Sequence, residues 1–206
     1  MEKKEFQKLA VRTESVVDEI RVSVRDGTGF LHVLQGFKAS TEVLDAFKKH
    51  IFYGKPLDRE RVRDEMNNAM AYLDLADDFF REEAKDPQPT HGTLRMDPRI
   101  FHALLGTITE HGEIAQAMIY ALYNNGELDL VNVCEELGDS DWYKALFYEA
   151  TKINWDDVQG MIIKKLEIRF KDKVFSEGEA DERDLDSERA LLESSIQDAV
   201  NEYSKR

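Results

Sequence analysis

Of the 206 residues only one is cysteine, Cys134, so neither a disulfide framework nor a cysteine zinc site is available. Prolines number four, and three of them fall in one stretch, residues 84–98, leaving the rest of the chain open to long helices. No run approaches the roughly 18 apolar residues of a membrane span. The opening "MEKKEFQKLA" has no apolar core of a signal peptide, so a soluble chain in a reducing cytoplasm is expected. Basic residues are also scarce, 28 against 42 acids, for a net charge of −14. That balance argues against a nucleic-acid polymer as partner, while free nucleotides stay open because a bound cation reverses the local sign.

What is present is apolar periodicity at three and four, with almost no alternation at two. Phe30, Leu31, Val33 and Leu34 begin one such run, and Ile100, Phe101, Leu104 and Leu105 begin another. Asp58 and Asp129 each precede a helical pattern as N-caps, and Asn154 with Asp157 three residues on resembles a capping box. The expectation is an all-α helical bundle of about seven helices and no sheet. "AKDPQPTHGTLRMDP" at 84–98 reads as a linker. After Phe175 the chain is acidic and polar until "DLDSERALLESSIQDAV" resumes a weak helical pattern, a tail expected to wrap or extend.

The two halves repeat. "RDEMNNAMAY" at 63–72 aligns with "CEELGDSDWY" at 134–143 at an offset of 71. There Glu65, Asn68 and Tyr72 fall on Glu136, Asp139 and Tyr143. At an offset of 70, His32, Leu34 and Gly36 fall on His102, Leu104 and Gly106. At 71, Glu42, Ala46, Leu57 and Asp58 fall on Glu113, Ala117, Leu128 and Asp129. A duplicated helical-hairpin unit follows, with each unit needing a neighbour to cover its apolar face. The expected division is a repeat at 1–83, the linker at 84–98, a second repeat at 99–175 and the tail at 176–206.

In the second repeat Glu110 and Glu113 stand three apart, as do Glu136 and Asp139, so each pair projects from one face of its helix. With this many acids, pairs three apart arise by chance at roughly eight places, most of them solvated faces, so spacing alone decides little. Gly112 and Gly138 lie between the acids. Glycine inside a helix costs about 1 kcal/mol and calls for a packing or close-approach reason. Four carboxylates on two packed helices would repel one another, a conflict that a hard divalent cation resolves.

The motif Thr109-Glu110-His111-Gly112-Glu113, with "VNVCEELGDSDWY" at 131–143 and "KKLEIRFKDKVFSEGEADERDLDSERALLE" at 164–193, resembles the phage-type MazG-like proteins. These belong to the all-α nucleoside triphosphate pyrophosphohydrolase superfamily. "FKKHIFYGKPLD" at 47–58 is similar to a further segment of that family, in the other repeat. The resemblance implies a helical bundle that uses Mg²⁺ or Mn²⁺ to cleave nucleoside triphosphates between the α and β phosphates. It implies metal ligands Glu110, Glu113, Glu136 and Asp139, with Glu110 or Glu113 acting on the attacking water. It also implies Lys165, Arg169 and Arg183 facing phosphate, the host cytoplasm if the chain is phage-encoded, and a homodimer, since single-unit relatives assemble.

The first repeat departs from this pattern, with Ala39 opposite Glu110 and Asn68 opposite Asp139. It is expected to be degenerate as a metal site while offering Lys48, Lys49 and Lys55 to the triphosphate, or else simply a solvated charged face. Asn132 is a candidate for a base edge or for local backbone contacts, and Trp142 for base stacking or for core. His102 and His111 read as structural. The competing functional class is a non-catalytic nucleotide-binding or protein-interaction module.

Overall fold

Six helices begin on a side chain that accepts hydrogen bonds from the first free backbone N–H groups, and these caps set the architecture. In the computed structural model, which describes residues 2–92 and 94–205, Ser23 caps α2 (Val24–Tyr53) and Asp58 caps α3 (Arg59–Lys85). Asp97 caps α4 (Pro98–Tyr123), where Pro98 supplies the favoured first-turn proline. Asp129 caps α5 (Leu130–Thr151), Asn154 caps α6 (Trp155–Arg169), and Asp184 caps α8 (Leu185–Tyr203). Two shorter helices, α1 (Lys3–Ala10) and α7 (Glu177–Asp181), complete the set. The fold is all-α. Among the described residues there is one more helix than the sequence suggested, and a single two-residue ladder, β1 (Arg21–Val22) against β2 (His91–Gly92). No described helix is long and apolar enough to cross a membrane.

The chain divides into two units. Glu19–Arg95 is one; the segment ending at Asp18 together with the chain from Met96 onward is the other. The first is the α2–α3 pair, closed at its ends by the β1–β2 ladder. Small residues let its helices approach: Phe80 lies over Gly29, and Leu73 and the Ala69 carbonyl lie over Gly36, all within about contact distance of where a Cβ would sit. Helix α2 stops at Gly54, whose φ of 67° is the left-handed conformation that glycine adopts without strain.

The second unit is built on the α4–α5 pair, with Ala103, Ala145 and Leu146 fully buried. A methyl group at Gly106 would run into the Tyr143 ring, so this glycine is fixed by packing. Contrary to the expected division, α1 and the 3₁₀ turn Val11–Thr13 belong here and not with the first repeat. Two contacts explain this. The Trp142 indole N–H donates to the Ala10 carbonyl at 2.8 Å, and Arg99 grips the buried Glu14 carboxylate through two bonds of 2.6 and 2.7 Å. The tail is also no loose extension, because α8 packs on α6. Thr93, inside the expected linker, lies outside the described residues.

Candidate metal centre

Helices α4 and α5 bring three carboxylates together. Oxygens of Glu110, Glu136 and Asp139 all lie within 4.8 Å of one another. Glu136 is buried, Glu110 half-buried and Asp139 exposed, so the cluster is rooted in the helix interface and opens to solvent on one side. Asn132 supports it from one turn away, its amide donating to Glu136 Oε1 at 2.7 Å. The Asn132 backbone N–H in turn donates to the Asp129 cap at 3.1 Å. Helix start and carboxylate orientation are thus set by the same residue.

The electrostatic strain in this arrangement is legible. Burial, a hydrogen bond with Glu136 and the charges of Asp139 and Glu136 hold the Glu110 carboxyl above its ordinary range. Tyr143, beneath the cluster, is pushed up by burial and then by the charges of Glu110 and Asp139. In the sequence Tyr143 is marked only by its repeat pairing with Tyr72. Ser140, fully buried four residues after Glu136, has a hydroxyl without a hydrogen-bond partner among the described residues.

Other expected site residues stand elsewhere. Glu113 does not join the cluster. Three residues along a helix is about 60° of rotation from eclipse, and with Glu110 turned toward α5, Glu113 is left exposed. Gly112 and Gly138 meet nothing within 4 Å of a Cβ position, so packing does not account for them. Trp142 is spent on the α1 contact and on edge-to-face packing with His102 and Tyr143 at 6.0 and 4.9 Å. The Arg169 guanidinium, expected to face phosphate, instead donates twice to Glu188, at 2.9 and 2.8 Å, and Arg183 grips the same carboxylate. Lys165 is half-buried on α6. Lys48 and Lys49 lie near the end of α2 in the other unit, both on Asp45 at 2.5 Å, and Lys55 follows the Gly54 turn.

The chain matches no family model, no curated protein and no solved structure. What it can do chemically therefore rests on its own residues. Three convergent carboxylates, one of them held above its ordinary range by burial and then by its neighbours, form an all-oxygen donor set suited to a hard cation.

The corresponding positions in Glu19–Arg95 look different. Ala39 is buried, Asn68 is uncharged, and Glu42, at the position of Glu113, is occupied by Lys38 and Arg61 at 3.1 Å each. Those cations hold the Glu42 carboxyl below its usual range. Such a set has too few unengaged carboxylates to hold a divalent ion.

Proposed function

We propose that this chain is a metal-dependent nucleoside triphosphate pyrophosphohydrolase, related to the MazG-like proteins it resembles, with its one metal site in the α4–α5 pair. The observation that carries the reading is the convergence of Glu110, Glu136 and Asp139 within 4.8 Å on two packed helices. Fit is supported by the raised Glu110 carboxyl, which burial and then the neighbouring charges of Asp139 and Glu136 push up, a cost that a divalent cation relieves. Mg²⁺ or Mn²⁺ held by the three carboxylates would supply charge neutralisation for a triphosphate and polarise the phosphorus under attack.

The residues divide the remaining work. Glu136, buried and oriented by Asn132, provides the fixed ligand of the set. Asp139, exposed, stands at the open side where substrate arrives. Glu113, left outside the cluster with its carboxylate in solvent, is assigned to orient or deprotonate the attacking water. The open space at Gly112 and Gly138 leaves room for the polyphosphate beside the acids. Lys165 remains a phosphate-facing candidate, whereas Arg169 is withdrawn from that role because Glu188 occupies its fork. A contribution of Lys48, Lys49 and Lys55 to the triphosphate, and assembly as a homodimer, are further parts of the proposal.

The test is incubation with mixed nucleoside triphosphates and Mg²⁺ with chromatography of the products. Monophosphate and pyrophosphate are expected, because the site must embrace the α–β bridge for an in-line attack. Asp139→Asn and Glu136→Gln should each abolish turnover while retaining helical content. Nucleoside diphosphate as first product, or full turnover by Asp139→Asn, would refute the assignment. Nucleotide binding without hydrolysis would favour the non-catalytic alternative.

A further inference from the structure

Within Glu19–Arg95 a cavity of about 550 Å³ opens between α2 and α3, bordered by Gln35, Lys38, Ala39, Glu65, Asn68 and Tyr72. Its position is informative. Ala39, Glu65, Asn68 and Tyr72 are the repeat counterparts of Glu110, Glu136, Asp139 and Tyr143, so the cavity lies where the other helix pair gathers its carboxylates. With Ala39 and Asn68 at two of these positions, the space is of the size that small organic ligands fill, about 300–1,000 Å³.

The chemistry of the walls differs from that of the acidic cluster in the other helix pair. One carboxylate, Glu65, and one ammonium, Lys38, which pairs with Glu42 at 3.1 Å, border it, and the remaining polar groups are the neutral amides of Gln35 and Asn68 and the Tyr72 phenol. Leu31 and Leu34 add an aliphatic wall. A pocket near charge balance, with paired amides and an aromatic edge, suits an uncharged planar molecule that both donates and accepts hydrogen bonds. One amide is already oriented. His32, stacked between Tyr72 and Phe79 at 6.2 and 5.6 Å, places Nδ1 2.8 Å from Gln35 Oε1, which directs the Gln35 NH₂ toward other acceptors.

We propose that this cavity binds the nucleoside moiety of a nucleoside or nucleoside monophosphate without a metal ion. The base lies against Leu31, Leu34 and Tyr72. Its N–H edge donates to Glu65, and its acceptors take the amides of Gln35 and Asn68. A 5′-phosphate, where present, reaches the exposed Lys38 ammonium at the rim, sharing it with Glu42, which Arg61 also holds. The choice of nucleosides as ligand class rests on the nucleotide chemistry proposed for the other unit; the existence of a metal-free polar site rests on the cavity.

Calorimetric titration of the full chain in excess EDTA, with a panel of nucleosides and their 5′-monophosphates, tests this directly. Binding of at least one base is expected. Gln35→Ala and Asn68→Ala, both checked for unchanged melting, should each weaken it about tenfold, and Glu136→Gln should leave it intact. A monophosphate that binds no better than its nucleoside would confine recognition to the base and sugar, still in support. No binding across the panel would overturn the proposal, as would affinity unmoved by both alanine variants or lost in Glu136→Gln. Pyrophosphate release with Mg²⁺ is measured separately: metal-free binding without turnover removes the reaction and keeps the pocket, and turnover without metal-free binding does the reverse.

Discussion

The Asn132 amide nitrogen lies 2.7 Å from Glu136 Oε1, four residues on along the same helix, and donates to it. It holds Glu136 in place and disperses part of its charge. Replacing Asn132 by Asp puts a like charge in the donor's position. In EDTA this variant should melt below wild type, by about 1–3 kcal/mol in unfolding free energy, and saturating Mg²⁺ should recover a large part of the difference. Paired melting curves with and without metal check it.

Glu110 provides a pH signature. Its carboxyl is raised in the folded state above 4.5, so its contribution to stability is fully present below that value and is lost as pH rises through the folded pKa. In EDTA, Glu110→Gln should therefore gain on wild type as pH rises past the carboxylate range and then hold a constant lead. With Mg²⁺ the lead should shrink or reverse. A difference independent of pH would mean the crowding is not felt in solution.

The clamp on Glu188 has the opposite sign. Arg169 and Arg183 hold its carboxyl at about 2, below the ordinary 4.5, so its stabilisation is present above 4.5 and fades as pH falls toward 2. The shift corresponds to at most about 3 kcal/mol. Glu188→Gln should lose most of this at neutral pH and less than half of it at pH about 3. Chemical denaturation at the two values separates the outcomes.

Glycines give a contrast within one helix. Gly106→Ala drives a methyl into Tyr143 and should destabilise, at a cost on the order of 1–3 kcal/mol. Gly112→Ala meets open space and should stabilise by up to about 1 kcal/mol from helix propensity. If substrate passes close to Gly112, the same change raises KM while raising Tm, a split that packing alone does not produce.

Helix existence was legible in the sequence because caps and apolar spacing are local. Asp58, Asp129 and Asn154 stand where they were expected to stand. The convergence of Glu110, Glu136 and Asp139 followed from two i, i+3 pairs, but the exclusion of Glu113 did not, since spacing leaves the rotation of α4 about its axis undetermined. Arg169 could not be separated from a phosphate ligand, because its partner Glu188 lies beyond a polar stretch with no periodic signal. Partnership of α1 with α5 was invisible for the same reason: the Trp142–Ala10 bond spans 132 positions.

That long bond has a consequence for how the protein is made. Glu19–Arg95 interrupts the other unit in the manner of an insertion, and its two ends are stitched side by side by the pairing of Arg21 with Gly92. During synthesis the inserted helix pair can close as soon as it emerges, whereas α1 must wait until α5 has left the ribosome. The ladder at its neck keeps the waiting segment and the later chain near one another, so the interruption shortens the effective loop that the Trp142–Ala10 contact has to close.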